Sequence, residues 1–324
     1  MENTTYNCSL AEALQGYRIC AQAENKSPRT IEAVCSSVIY LERFLNSNGL
    51  TSDVNHIGLA EIRAFILYLQ QKRCYSNHPF SNPQERGLSA VSINSYIRSV
   101  RAFWSWMLSE EIISESPFSR LKIPKAPHKV INTFSPAQLK AFLNVIDRSN
   151  PSGFRDYVII LTLLDTGLRI SELTGLQLND VQLKEGVLKV MGKGGKQRLI
   201  PIGRGVQQLL WRYITITRPQ PAKINCDNLF LTHKGMPLDR NRIRSRMAAY
   251  GRKASLSGVR CSPHTLRHTA AVSFLRNGGN VFSLQRLLGH STLMMTRHYC
   301  ELADVDVLRA HATASPVDNL DILI

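Results

Sequence analysis

The chain has 324 residues, 44% of them hydrophobic and 20% charged, a balance that fits a globular protein with room for two cores. No segment approaches the roughly 18 apolar residues of a membrane span, and Glu2, Glu12 and Glu24 stand where a secretion signal would be basic, so neither a membrane span nor a leader is expected. The net charge is +16 and unevenly spread: 14 Lys and Arg against 11 Asp and Glu up to Val130, then 26 against 13, which favours a polyanionic partner such as nucleic acid.

In chain order, Ser27-Pro28 supplies a cap and a first-turn proline for TIEAVCSSVIYLERFLNSNG. There Ile31, Val34, Val38, Leu41 and Leu45 recur at helical spacing, and Asn48-Gly49 ends the run. A second helix fits 59–72, and the turn-rich 74–87 fits a loop. Ser89 caps a third helix whose stripe is Val91, Tyr96, Val100, Phe103, Trp104 and Met107; these aromatics are expected in the core rather than stacked on bases. Residues 117–128, PFSRLKIPKAPH, combine three prolines with Arg120, Lys122, Lys125 and His128, the composition of an extended basic linker.

Ser135-Pro136 opens a second domain, with helices expected at 135–147 and 154–165. VLKVMGKGGKQRLIPI, 187–202, is expected as strand, Gly-Gly turn, strand. Helices are expected from 203 onward, broken at Gly251, Gly258, Gly278-Gly279 and Gly289. The fold class is therefore mainly α with one small sheet in the second domain. No repeat at a solenoid period is visible. Seven cysteines form no CxxC pair, and their odd number speaks against a disulfide framework, so a reduced, cytoplasmic protein is expected.

Three motifs carry chemistry. GKGGK, 192–196, is not a phosphate-binding loop, because the spacing fails, Gln197 follows Lys196, and no helix follows; it is a turn presenting Lys193 and Lys196. SPHTLRH, 262–268, starts a helix in which Ser262 caps and His264 and Arg267 share a face. His264 and His268 have the spacing of a zinc pair, but the glutamate of HExxH is missing and no third ligand is signalled; no metal is expected, and His268 is expected to pack structurally. In LLGHSTLMMTRHY, 287–299, Gly289 ends a helix, His290 sits in the turn and Ser291 caps the next, placing Tyr299 about 12 Å along it.

TGLRISEL, MGKGGKQR, HTLRH, LLGH and Tyr299, in this order and spacing, resemble the tyrosine recombinase (phage integrase) family over essentially the whole chain. The resemblance implies a helical, SAM-like core-binding domain at 1–112, a linker at 113–132 and a catalytic domain at 133–310, together forming a C-shaped clamp on DNA. It also implies a tail at 311–324 that is exchanged between protomers, and no separate arm-binding domain. Matched position by position, Arg169 and Arg267 are the catalytic arginines, Lys193 the hairpin lysine, His264 and His290 the histidines, and Tyr299 the nucleophile, supported by Glu172. The implied reaction is transesterification through a 3′-phosphotyrosine, without cofactor or metal.

The chemistry suits these residue types. A free phenol titrates near ~10, so it needs help at neutral pH, and two guanidinium forks can hold both non-bridging oxygens of a phosphodiester. His264 is expected to accept the proton of Tyr299, His290 to donate to phosphate, and Lys193 to protonate the leaving 5′-oxygen. Backbone contacts to DNA are expected from Lys196, Arg198 and the basic stretch 239–253, with Arg240, Arg242, Arg244, Arg246, Arg252 and Lys253. The expected partners are two DNA duplexes, further copies of this chain in a tetramer, and accessory DNA-bending proteins. Two alternatives share the scaffold: a type IB topoisomerase, and a non-catalytic DNA-binding accessory protein, against which Arg169, Arg267 and Tyr299 speak.

Overall fold

The computed structural model describes residues 8–73, 87–123, 132–192, 195, 197–303, 311 and 315. Lys193, Lys196, nearly all of the 74–87 loop, the later part of the linker and most of the tail lie outside them. The chain divides into two compact units, Met1–Lys129 and Val130–Ile324. No described helix is long and apolar enough to cross a membrane.

The first unit contains α1 (Leu10–Ala23), α2 (Pro28–Ser47), α3 (Leu59–Gln71) and α4 (Ala90–Ser109). The last three start at the expected caps or residues. The sequence reading omitted α1, although Ser9 and Glu12 form a reciprocal capping box there: Glu12 N–H donates to Ser9 Oγ at 3.3 Å and Ser9 N–H to the Glu12 carboxylate at 2.9 Å. Apolar faces of the four helices enclose one core in which Tyr17, Phe103, Trp104 and Trp106 meet largely edge to face. The aromatics of α4 are core, as expected, but Val91 in its first turn is exposed rather than part of the stripe.

The second unit begins with α5 (Pro136–Asn144), α6 (Pro151–Thr166) and α7 (Ile170–Gly175). An antiparallel sheet follows in the order β1 (Val181–Gln182), β2 (Val187–Met191), β3 (Gln197–Pro201). The β2–β3 hairpin was anticipated and β1 was not. Side chains alternate across the sheet, so Leu188, Val190 and Ile200 enter the core while Met191 and Leu199 are exposed. After α8 (Arg204–Arg212), a π-helical segment, Tyr213–Thr217, ends at Arg218, and the chain carries turns and isolated bridges up to α9 (Arg240–Lys253). The expectation of helices throughout from 203 therefore fails here, where Arg218 satisfies the Leu229 and Asn228 carbonyls with its side chain.

Then come α10 (Pro263–Arg276), α11 (Val281–Leu288) and α12 (Met294–Ala303). Gly251 does not break α9; a Cβ there would stand 2.4 Å from the sulfur of Cys261, so the glycine serves close packing. Helix α10 packs against α6, α11 and α12 and is buried almost all round. Its buried polar residues, Thr265, Arg267, His268 and Thr269, must therefore find partners inside the protein.

Candidate active site

The first piece of the site is a turn. Helix α6 ends at Gly167, whose φ of 62° is left-handed; a Cβ there would lie 2.7 Å from the Leu288 side chain. The turn sends Leu168 into the core and sets Arg169 at the N-terminus of α7. Arg169 N–H and Nη1 donate to the Glu172 carboxylate at 2.8 and 2.9 Å, and Nη2 reaches the Gly289 carbonyl at 3.3 Å. From β3, Arg198 donates both terminal nitrogens to Glu172 at 3.0 Å each. Burial pushes the Glu172 carboxyl up, but the bonds from Arg198 and Arg169 prevail and hold it below the usual carboxylate range.

Arg267 is the buried counterpart. Its Nη1 donates to the Gly167 carbonyl at 2.6 Å, and its Nη2 lies 2.9 Å from the Leu288 carbonyl and 3.1 Å from His290 Nε2. Burial, with Arg169 nearby, lowers its pKa to about 10, so it stays charged at neutral pH. Three guanidinium groups thus gather with one carboxylate between them. The remaining compensation comes from helix ends: carbonyls of Leu287, Leu288 and Gly289 close α11, that of Gly167 closes α6, and each accepts from Arg198, Arg267 or Arg169. Helix C-termini carry partial negative charge and suit cations.

His290 is held neutral. Burial, followed by the charges of Arg267, Arg169 and Arg198, lowers its pKa to about 4. An arginine can only donate, so His290 Nε2 accepts from Arg267, and the ring proton sits on Nδ1, 3.0 Å from Thr296 Oγ1, to which it donates. His264 also titrates below its ordinary value, through desolvation and then Arg267.

Tyr299 lies on α12 with 5% of its surface exposed, in a small cluster with Ala271, Val272, Leu275, Leu284 and Leu288. Its hydroxyl is 2.8 Å from His268 Nδ1, and its ring runs parallel to that of His290 at 6.2 Å. Burial raises the phenol's pKa, while Arg267 and Arg169 pull it the other way without reversing the shift. In this arrangement the phenol is sheltered and protonated at neutral pH.

The expected residues Arg169, Glu172, Arg267, His290 and Tyr299 therefore come together across α7, α10, α11 and α12. Several expectations need correction. His268, taken as packing, is the partner of the phenol, while His264 is exposed on the first turn of α10 with its ring against that of His268, centroids 4.1 Å apart. His290, expected to donate to phosphate, lies here between Thr296 Oγ1 and Arg267 Nη2. Arg198, expected to contact the DNA backbone, is turned by strand alternation to the inward side with Ile200, where Glu172 and the Leu287 carbonyl hold its guanidinium. Helix α12 starts at Met294, not at a cap on Ser291, so Tyr299 lies in its second turn.

On α9, Arg246 is bound to the buried Asp156, and Lys253 donates to the Val145 carbonyl at 3.0 Å, so both have structural duties. Arg240, Arg242, Arg244 and Arg252 are exposed. The sequence reading missed Thr296 and the Arg155–Asp156 pair altogether. For His268 and Arg198 the signals were present in the helical i, i+4 spacing from His264 and the period of two along β3.

Comparison with known proteins places the chain in a family. Residues 132–305 match the phage integrase family. The tyrosine recombinase XerD of Staphylococcus haemolyticus is 30% identical over 288 residues, spanning 86% of this chain and 97% of the relative. The tyrosine recombinase XerC of Bacillus subtilis is 32% identical over 283 residues, 86% of this chain and 88% of the relative. Among solved structures, the Tn1549 transposon integrase in complex with a circular intermediate DNA shares the fold with a TM-score of 0.69 at 23% identity, covering 89% of this chain and 94% of that one. XerH recombinase bound to a palindromic difH substrate gives a TM-score of 0.69 at 20% identity, covering 96% and 85%. The chain belongs to the phage integrase family of tyrosine recombinases, which cut and rejoin DNA through a tyrosine intermediate.

Proposed function

We propose that Tyr299 is the nucleophile of this recombinase and that Arg169 and Arg267 grip the scissile phosphate. The observation that supports this most is the meeting of Tyr299, His290 and Arg267 at the end of α11, with Arg169 tied to the same turn. The phenolate attacks phosphorus, the 5′-oxygen leaves, and a 3′-phosphotyrosine conserves the bond energy for religation. The two guanidinium groups stabilise the charge that develops on the non-bridging oxygens. Glu172 and Arg198 hold Arg169 in place, and His290 aims Arg267. His264, exposed beside Arg267, donates to phosphate, and Lys193 protonates the leaving oxygen.

Around this centre, residues 1–112 act as a core-binding domain and 133–310 as the catalytic domain. Arg240, Arg242, Arg244 and Arg252, with Lys196, contact the DNA backbone. The working assembly is a tetramer on two duplexes, each tail (311–324) exchanged into a neighbouring protomer, with accessory DNA-bending proteins as further partners. Truncation after Ala314 is expected to abolish assembly on DNA while leaving binding to a single duplex intact. Unchanged assembly would refute exchange.

The test of the site is covalent trapping on fragmented genomic DNA. Wild-type protein is expected to form a 3′-linked adduct whose peptide maps to Tyr299, and sequencing the trapped DNA yields the target. Tyr299→Phe is expected to bind the same DNA and trap none. Equal trapping by both removes Tyr299 as nucleophile.

A further inference from the structure

We propose that His268 is the catalytic base that takes the phenolic proton of Tyr299. This rests on Tyr299 being the nucleophile and deepens that reading. The His268 Nδ1 atom is 2.8 Å from the phenolic oxygen, within the reach required of a proton acceptor. His268 and Tyr299 are only 7% and 5% exposed, so bulk water competes poorly for that proton. His264 sits one helical turn earlier on α10, exposed, with its ring edge-on to that of His268.

The placement has a structural cause. Helix α10 is buried nearly all round, so successive polar side chains serve different neighbours. Arg267 turns toward the ends of α6 and α11, and His268, about 100° further round the helix, turns toward α12. Arginine and base therefore come from adjacent positions without competing for space. Among the described residues, charged and titratable groups around the pair include His264 on the same helix, Cys300 beside Tyr299 on α12, His290 in the turn before α12, Arg267 and Arg169.

The step balances as follows. The phenolic O–H bond breaks and its proton passes to Nδ1, making an imidazolium; this requires the neutral tautomer with its proton on Nε2. The phenolate oxygen bonds to phosphorus as the bond to the 5′-oxygen breaks, and that oxygen takes its proton from Lys193. Religation runs the same steps backward, the imidazolium returning its proton to the departing phenol.

The experiment uses the full chain and a duplex carrying the genomic site recovered by trapping, nicked so that cleavage cannot reverse. His268→Asn keeps a polar atom near the Nδ1 position but cannot hold a proton; His268→Gln is the second variant, read in the same way should the first fail to fold. Both are checked for melting and duplex binding before kinetics. Single-turnover cleavage is expected to fall by about 100-fold near neutral pH. The deficit is then expected to shrink by about tenfold per pH unit as the phenol ionises unaided.

A constant deficit at every pH assigns His268 to packing and overturns the proposal, as does wild-type cleavage. A 5′-phosphorothiolate at the scissile bond, whose sulfur leaves without a proton, is expected to restore Lys193→Ala but neither His268 variant. Restoration of the His268 variants overturns the proposal by placing His268 at the leaving group. Covalent trapping by Tyr299→Phe instead defeats the nucleophile assignment on which it rests.

Discussion

The two units differ most in what they bury. Among described residues the first buries only Ser37 and Asn94 as polar side chains, beneath a core of aliphatic and aromatic groups. The second buries Arg155, Asp156, Glu172, Arg267 and His268 alongside its apolar core. Buried charge is costly and persists only where it is paired, so its location marks where this fold trades stability for placement. One cluster, Arg155 and Asp156 with Arg246 and Tyr250, fastens the basic helix α9 to α6. The other, around Glu172 and Arg267, aims guanidinium groups. The first unit is built for cohesion and the second for aim.

That contrast can be broken at several points. The largest effect is expected from Asp156→Asn, which leaves Arg155 and Arg246 without their counter-charge and should destabilise the second unit by about 3–5 kcal/mol. Denaturant unfolding followed by far-ultraviolet dichroism measures it, and a change below 1 kcal/mol would show that the network is dispensable. Arg267→Ala is expected to slow cleavage by about 10²–10³-fold, roughly 3–4 kcal/mol, as well as loosening the fold. Single-turnover trapping near wild-type rate would remove Arg267 from the site. In the first unit, Leu45→Ala removes a fully buried side chain and should cost about 3 kcal/mol. Tryptophan emission reports this directly, because Trp104 and Trp106 are buried there while Trp211 is exposed.

Smaller effects sharpen the same comparison. His290 titrates near about 4 in the fold against an ordinary value of 6.5. As pH falls, the unfolded chain therefore binds the proton first; stability is full above 6.5 and declines toward 4, by an amount on the order of 2 kcal/mol. Glu172, with its lowered pKa, adds a further loss in the acid carboxylate range. His290→Asn should flatten the upper part of that acid decline, and an unaltered curve would assign the titration elsewhere. The smallest change is expected from Arg252→Ala on exposed α9, which should lower the salt slope of duplex binding by about 0.9 without altering cleavage of bound DNA. An unchanged slope would take Arg252 out of the interface.

Much of this was legible in the residues. Caps and prolines marked α2, α4, α5 and α10, a glycine marked the turn at 289, and the motif order identified the family. What escaped was the direction in which side chains face. Basic residues look alike in a sequence, yet Arg198 lies inward on Glu172 and the half-exposed Arg246 is tied to buried Asp156, while Arg240 and Arg252 face water. Nor did sequence spacing separate His264 from His268, since both lie on one stripe of α10 and only the position of α12 decides which meets the phenol. Periodicity restricts a residue to a face; what packs on that face is settled by contacts between distant segments.

The turn that closes α11 has a broader consequence. Carbonyls of three successive residues, Leu287, Leu288 and Gly289, each hold a different guanidinium, from Arg198, Arg267 and Arg169 in that order, and His290 follows immediately. No one of these arginines can be repositioned by moving that turn without disturbing the other two. Substitutions around it should therefore combine non-additively, with double-mutant couplings larger than those between α9 and the site. Competence in this centre then behaves less like a dial than like an all-or-none switch, thrown by a segment of four residues.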